Sequence, residues 1–270
     1  MNACIKEMRI KHWYKALIVF SGPLFSGTLL SLDLGSLFLT FLAFGFVASA
    51  VYVVNDIKDA ENDKLHPKKC KRPIASGQIG VNSAVLFGGV LLTIALSFAL
   101  LVGNYVPHFV GGYFALMMMY TFYLKQRAIV DAFTIATGFI IRALAGCFAV
   151  GIDVTPFFYL VIFSFAVYLA FCKRLTEVRL AGEAHKTSLE VYKEIVEVGI
   201  AISGSITLAL YAIYTMNKTG LVWSVPLAFL VLMLHLRETF KGNEVHESMT
   251  NPEVLITGLA FIISVFIGLY

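Results

Sequence analysis

Long apolar runs alternate with polar breaks from one end of the chain to the other. A run of about 20 apolar residues is enough to cross a bilayer as a helix. By that measure about nine membrane helices are predicted, near 16–32, 37–54, 82–102, 105–123, 129–149, 154–172, 196–216, 221–236 and 254–270. No stretch reads as a soluble half, so the pattern predicts an all-α membrane protein with one integral domain over residues 1–270. The first run is the least regular. Ser21, Gly22, Pro23, Ser26 and Gly27 interrupt it, which a membrane helix tolerates only where its backbone is packed in protein or lines a cavity.

Composition agrees: 59% of the residues are hydrophobic and 14% charged, whereas a soluble domain carries roughly 25% charge. The net charge of +4 is placed unevenly. With the N-terminus in the cytoplasm, nineteen of the 21 Lys and Arg fall in cytoplasmic segments, as the positive-inside rule requires. Lys218 in an outer turn and Arg142 inside the fifth run are the other two. This orientation predicts an inner (plasma) membrane protein whose long polar loops, 55–81 and 173–195, carry the chemistry on the cytoplasmic face. No basic domain separates from the spans, which argues against a nucleic-acid partner. Cys4, Cys70, Cys147 and Cys172 are far apart and read as reduced structural residues. No cleavage site follows the basic N-terminus, so the first run is expected to be retained.

The second run ends in Asn55-Asp56-Ile57-Lys58-Asp59-Ala60-Glu61-Asn62-Asp63. If the helix continues, Asp56, Asp59 and Asp63 stand at i, i+3 and i+7 and share one face. Three carboxylates on one face repel, and the boundary of a membrane helix normally collects Lys and Arg instead. Hard oxygen donors of this kind suit magnesium carried with a diphosphate. The next segment, from His66 and Pro67 through Lys68, Lys69, Lys71 and Arg72, is basic, and Arg72 offers a bidentate fork to phosphate. A mid-span Arg142 lies about three turns beyond Asp131 on nearly the same face. Both are expected to point into the bundle, Arg142 as a phosphate or ion-pair partner. At the end of the sixth run, Lys173 and Arg174 precede Glu177 by four and three residues. They form either a helical ion-pair patch or a second wall of an anion site, with Lys186 and Tyr192 as a lid.

The N-D-x-x-D-x-x-x-D run, followed by R-P-I-A-S-G and set among these helices, resembles the UbiA superfamily of intramembrane prenyltransferases over essentially the whole chain. The resemblance implies a helical bundle with a cytoplasmic-side cavity. In it Asn55, Asp56, Asp59 and Asp63 would hold magnesium on a diphosphate, with Asp56, Asp59 and Asp63 as catalytic residues. One departure is informative: where the family carries a second aspartate-rich motif, this chain reads Lys173-Arg174-x-x-Glu177. With Arg9, Trp13, Lys15, His66-Pro67, Asp131 and Arg142, it looks like the decaprenyl-phosphate phosphoribosyltransferase branch. That branch implies phosphoribosyl pyrophosphate as donor and a polyprenyl phosphate as acceptor. Lys15, Arg72, Asp131, Arg142, Lys173, Arg174, Glu177 and Tyr192 are then the candidate substrate-binding residues. A conventional transferase joining a prenyl diphosphate to an aromatic or quinone precursor would use the same acid motif. A transporter of a phosphorylated metabolite is the non-enzymatic alternative, weakened by short and nearly uncharged outer loops.

Overall fold

The computed structural model describes residues 3–65, 69–180, 187–243 and 245–270, and among them no strand occurs. The α-helices in chain order are α1 (Ala3–Glu7), α2 (Ser21–Ser26), α3 (Leu34–Lys64), α4 (Val81–Val102), α5 (Val106–Phe122), α6 (Val130–Ala149), α7 (Pro156–Leu180), α8 (Thr187–Met216), α9 (Val225–Phe240), α10 (Val245–Thr250) and α11 (Pro252–Leu269). A 3-10 helix, Ile10–Phe20, precedes α2. Seven of the helical segments are long and apolar enough to cross a membrane. Their outward residues, such as Leu86, Leu101, Ile256 and Ile267, are exposed apolar side chains that suit lipid contact.

Two of the expected spans take another form. The first run does not become one α-helix: it is the 3-10 helix and then the six residues of α2, ending where Gly27 adopts φ 80°. The hydroxyls of Ser21 and Ser26 bond back to the carbonyls of Ile18 and Pro23 and compete with a regular ladder. The fourth run becomes α5, whose 17 residues rise about 25 Å and sit at the short limit for a crossing.

The chain forms two compact units. Unit 1 comprises residues 1–22, 30–121 and 141–153. Its spine is α3, begun by Asp33, whose carboxylate accepts from Gly35 N–H at 2.9 Å and from the Ser36 hydroxyl. The α3 core residues Ala50 and Val53 pack with Ala84 and Leu91 of α4 and with Ile74 and Ile79 of the intervening loop. The 3-10 helix lies on α3, where Trp13 Nε1 donates to Ser49 Oγ at 3.0 Å and its ring covers Gly45. Gly146 lets α6 approach the same 3-10 helix, because a Cβ there would stand 1.9 Å from the Val19 carbonyl oxygen.

Unit 2 comprises residues 23–29, 122–140 and 154–270. Helices α7 and α8 form its core through Phe171, Cys172 and Leu175 against Tyr192, Val196 and Ile200. Gly199 admits the Phe171 ring, and Gly220 meets Gly268 backbone to backbone.

Candidate functional site

The decisive local feature is that α3 does not stop at the membrane boundary. It runs helical through Lys64, so the expected shared face forms: Asp56 and Asp63 are 1% and 3% exposed and Asp59 is half-buried between them. Asn55 places its amide 3.5 Å from Asp56 Oδ1. Two guanidiniums meet these carboxylates. Arg9 pairs with Asp56 Oδ2, and Arg72 Nη1 pairs with Asp56 Oδ1 at 3.1 Å and also with Asp63 Oδ2. Lys58, the cation inside the motif, instead donates to the Thr121 carbonyl at 2.7 Å, at the C-terminal end of α5 where the helix dipole favours positive charge.

The N-terminal segment supplies the other wall. Arg9 sits at φ 51°, a conformation rare for a side-chain-bearing residue, and its guanidinium lies 4.8 Å over the Tyr52 ring. Beside it is Glu7, which the sequence reading missed. Glu7 is 1% exposed, and among the described residues no N–H or hydroxyl donates to its carboxyl oxygens, which meet the Asp56 carboxyl instead. Burial, then the charge of the Asp56 carboxylate and the contact with it, pushes its pKa up to about 7 against the opposing pull of Arg9 and Arg72. The only local signal was one acid in a run of Lys6, Arg9, Lys11 and Lys15; its partner lies 49 positions away.

Unit 2 gathers a second charged cluster. Arg174 Nε stands 2.8 Å from Asp131 Oδ2, and Arg174 also pairs with Glu177. Lys173 Nζ is 3.6 Å from the other Glu177 oxygen. The Tyr192 hydroxyl donates to Asp131 and accepts from Ile129 N–H at 2.9 Å. Asp131, Arg174, Glu177 and Tyr192, drawn from three helices, therefore form one network. Arg142 is buried as expected; it donates to the Tyr113 hydroxyl at 2.6 Å and lies 4.3 Å over that ring. Lys15 lies 6.0 Å from the Tyr14 ring centre. His66, Pro67, Lys68 and Lys186 lie outside the described residues.

Among the described residues no three Asp, Glu, His or Cys side chains are gathered as a ready metal site. The donor chemistry nonetheless fits a hard cation. Glu7, Asp56 and Asp63 offer carboxyl oxygens beside Arg9 and Arg72, and the carboxylates outnumber these two guanidiniums whenever Glu7 is ionised.

The chain matches the UbiA prenyltransferase family over residues 16–251. It is 35% identical over 199 residues to the decaprenyl-phosphate phosphoribosyltransferase of Corynebacterium glutamicum, a match covering 71% of this chain and 60% of that protein. The protein of the same name from Mycolicibacterium smegmatis is 32% identical over 200 residues, covering 71% and 63%. This chain thus spans less than two thirds of the length of these relatives. The structure is similar to that of a UbiA homolog from Archaeoglobus fulgidus bound to GPP and Mg2+, with a TM-score of 0.76, 18% identity and 99% of each chain covered. At that identity the likeness speaks for the fold alone.

Proposed function

Because the chain belongs to the UbiA prenyltransferase family, we propose that it transfers 5-phosphoribose from phosphoribosyl pyrophosphate to a polyprenyl phosphate and releases pyrophosphate. The observation that carries this reading is the continuation of α3 through Lys64, which buries Asp56 and Asp63 on one face against two guanidiniums. The names of the relatives from Corynebacterium glutamicum and Mycolicibacterium smegmatis supply the donor and acceptor.

Asn55, Asp56, Asp59 and Asp63 would hold magnesium, which when bound stabilises the charge that develops on the departing pyrophosphate. Arg72, which pairs with Asp56 and Asp63, would exchange these carboxylate partners for phosphate oxygens, a swap its planar fork makes without losing directed hydrogen bonds. An acceptor phosphate oxygen is already anionic, so its attack on ribose C1, as the C1–pyrophosphate bond breaks, needs no strong general base. Lys15, Lys173 and Arg174 are assigned to the remaining phosphate charge. Asp131, Glu177 and Tyr192 hold Arg174 in place, and Arg142 is a further cation for a substrate anion. The reading takes residues 1–270 as a single transferase domain with about nine crossings. The broken first run and α5 count among these, and the N-terminus and a cavity holding the acid cluster face the cytoplasm.

A prenyl diphosphate donor is the second reading, because the fold neighbour from Archaeoglobus fulgidus was bound to GPP. Purified protein is incubated with magnesium and labelled phosphoribosyl pyrophosphate, with and without polyprenyl phosphate. A labelled prenyl diphosphate and an aromatic acceptor are run in parallel. Label in lipid only when polyprenyl phosphate accompanies the first donor is the expected result; prenylated aromatic product instead would overturn it.

A further inference from the structure

Building on the reading of the Asp56 cluster as a cation and diphosphate site, we propose that Glu7 is an additional carboxylate of the divalent-cation site. It is supplied by α1 rather than by the acid motif on α3.

A carboxyl group 1% exposed ordinarily recruits donors, because burying it unpaired removes its hydration without replacement. No N–H or hydroxyl among the described residues donates to Glu7, whose carboxyl meets that of Asp56. The two nearby guanidiniums are committed elsewhere, Arg9 to Asp56 and Arg72 to Asp56 and Asp63. Its charged neighbour is instead another carboxylate, Asp56. Nor is this a frayed end that merely drifted inward. Lys6 Nζ donates to the Lys71 carbonyl at 2.9 Å, and the Met8 carbonyl accepts from Ser49 Oγ at 2.6 Å, so both neighbours of Glu7 are tied to unit 1. A buried acid held against a second buried acid, with no N–H or hydroxyl donor among the described residues, is the arrangement a divalent cation completes. The cation satisfies both at once.

The test uses Mn2+ alone as probe, with the full chain in detergent and no substrate, following free Mn2+ by electron paramagnetic resonance. Glu7→Gln preserves shape and removes the charge. It is expected to weaken Mn2+ binding about 10–100-fold, the range for residues that ligate or support a metal, with Glu7→Asp between it and the parent. Should Glu7→Gln fail to fold, the Glu7→Asp affinity decides by the same criterion. Asp56→Asn is measured alongside. Loss of Mn2+ affinity in Asp56→Asn but parental affinity in the Glu7 variants overturns the role of Glu7 alone and leaves it a structural acid. Parental affinity in Asp56→Asn overturns the reading of the acid cluster itself, and this proposal with it.

Discussion

Each unit buries a charged cluster next to apolar helices, and the two clusters are balanced differently. In unit 2, Asp131 and Glu177 face Lys173 and Arg174, so the charges cancel, and Tyr192 adds a donor to Asp131. In unit 1, Glu7, Asp56 and Asp63 face Arg9 and Arg72, and one buried carboxyl is left without a donor. A charge-balanced cluster can hold a shape without a ligand, whereas one in which two buried carboxyls meet has room for a cation. On the proposed function, the Asp56 cluster would carry the chemistry and the Arg174 network chiefly the architecture.

The largest effect on stability is expected in unit 2. Arg174→Met strands Asp131, which is 2% exposed, and removing one member of a buried ion pair costs about 3–5 kcal/mol. Thermal unfolding in detergent measures it. Adding Asp131→Leu should recover most of the loss, since an apolar pair of similar volume is often neutral. A single variant that melts like the parent would dissolve the contrast between the clusters.

Asp56→Asn is expected to do the reverse, lowering turnover about 10²–10³-fold, as for other losses of transition-state charge stabilisation. Its melting temperature should fall less than that of Arg174→Met. Arg72 keeps Asp63, and Arg9 is at the partly exposed rim, where an unpaired charge is hydrated. Initial rates at saturating magnesium check this. A rate loss no larger than the fraction of protein unfolded would make the Asp56 cluster structural too.

The sequence revealed the helical membrane class and the acid face with little ambiguity, because both depend on near neighbours. Apolar runs mark spans by length, and Asp56 and Asp63 share a face through helical periodicity alone. Hydropathy alone does not reveal that the first run changes from 3-10 to α-helix, because it registers neither the serine back-bonds nor the left-handed Gly27. Pairings across the fold were illegible. Asp131 could be matched with Arg142 by spacing on one helix, yet its partners, Arg174 and Tyr192, come from α7 and α8. Glu7 escaped notice for the same reason: nothing near it in the chain announces a carboxylate 49 positions on.

Close backbone approaches give a smaller test of the same contrast. A Cβ at Gly146 would press on the Val19 carbonyl at 1.9 Å, which is backbone, whereas one at Gly199 would press on a side chain, the Phe171 ring, at 2.5 Å. Gly146→Ala should cost about 1–3 kcal/mol and loosen the 3-10 helix that follows Arg9, lowering activity as well as melting temperature. Gly199→Ala should cost less and leave initial rates per folded molecule unchanged. Equal effects on rate from the two variants would mean that the N-terminal segment does not support the Asp56 cluster.

The smallest effect belongs to Asp33, at the opposite end of α3 from the acid motif. Its carboxyl is held below the ordinary carboxylate range, chiefly by the Ser36 hydroxyl and N–H, with Gly35 N–H adding to it. A group whose pKa is depressed on folding stabilises fully above its unfolded value, near 3.9, and loses that contribution as pH falls through the folded value. The protection factors of amides in the first turn of α3, corrected for the intrinsic pH dependence of exchange, should therefore fall below about pH 4 in the parent. In Asp33→Asn the amide oxygen can still accept from Gly35 N–H, so the cap persists and this acid sensitivity disappears. Asp33→Ala should show reduced protection at every pH. Since this cap belongs to neither cluster, all three proteins should turn over at the parental rate near neutral pH; a rate change in Asp33→Asn would show that the start of α3 is coupled to the carboxylates at its end.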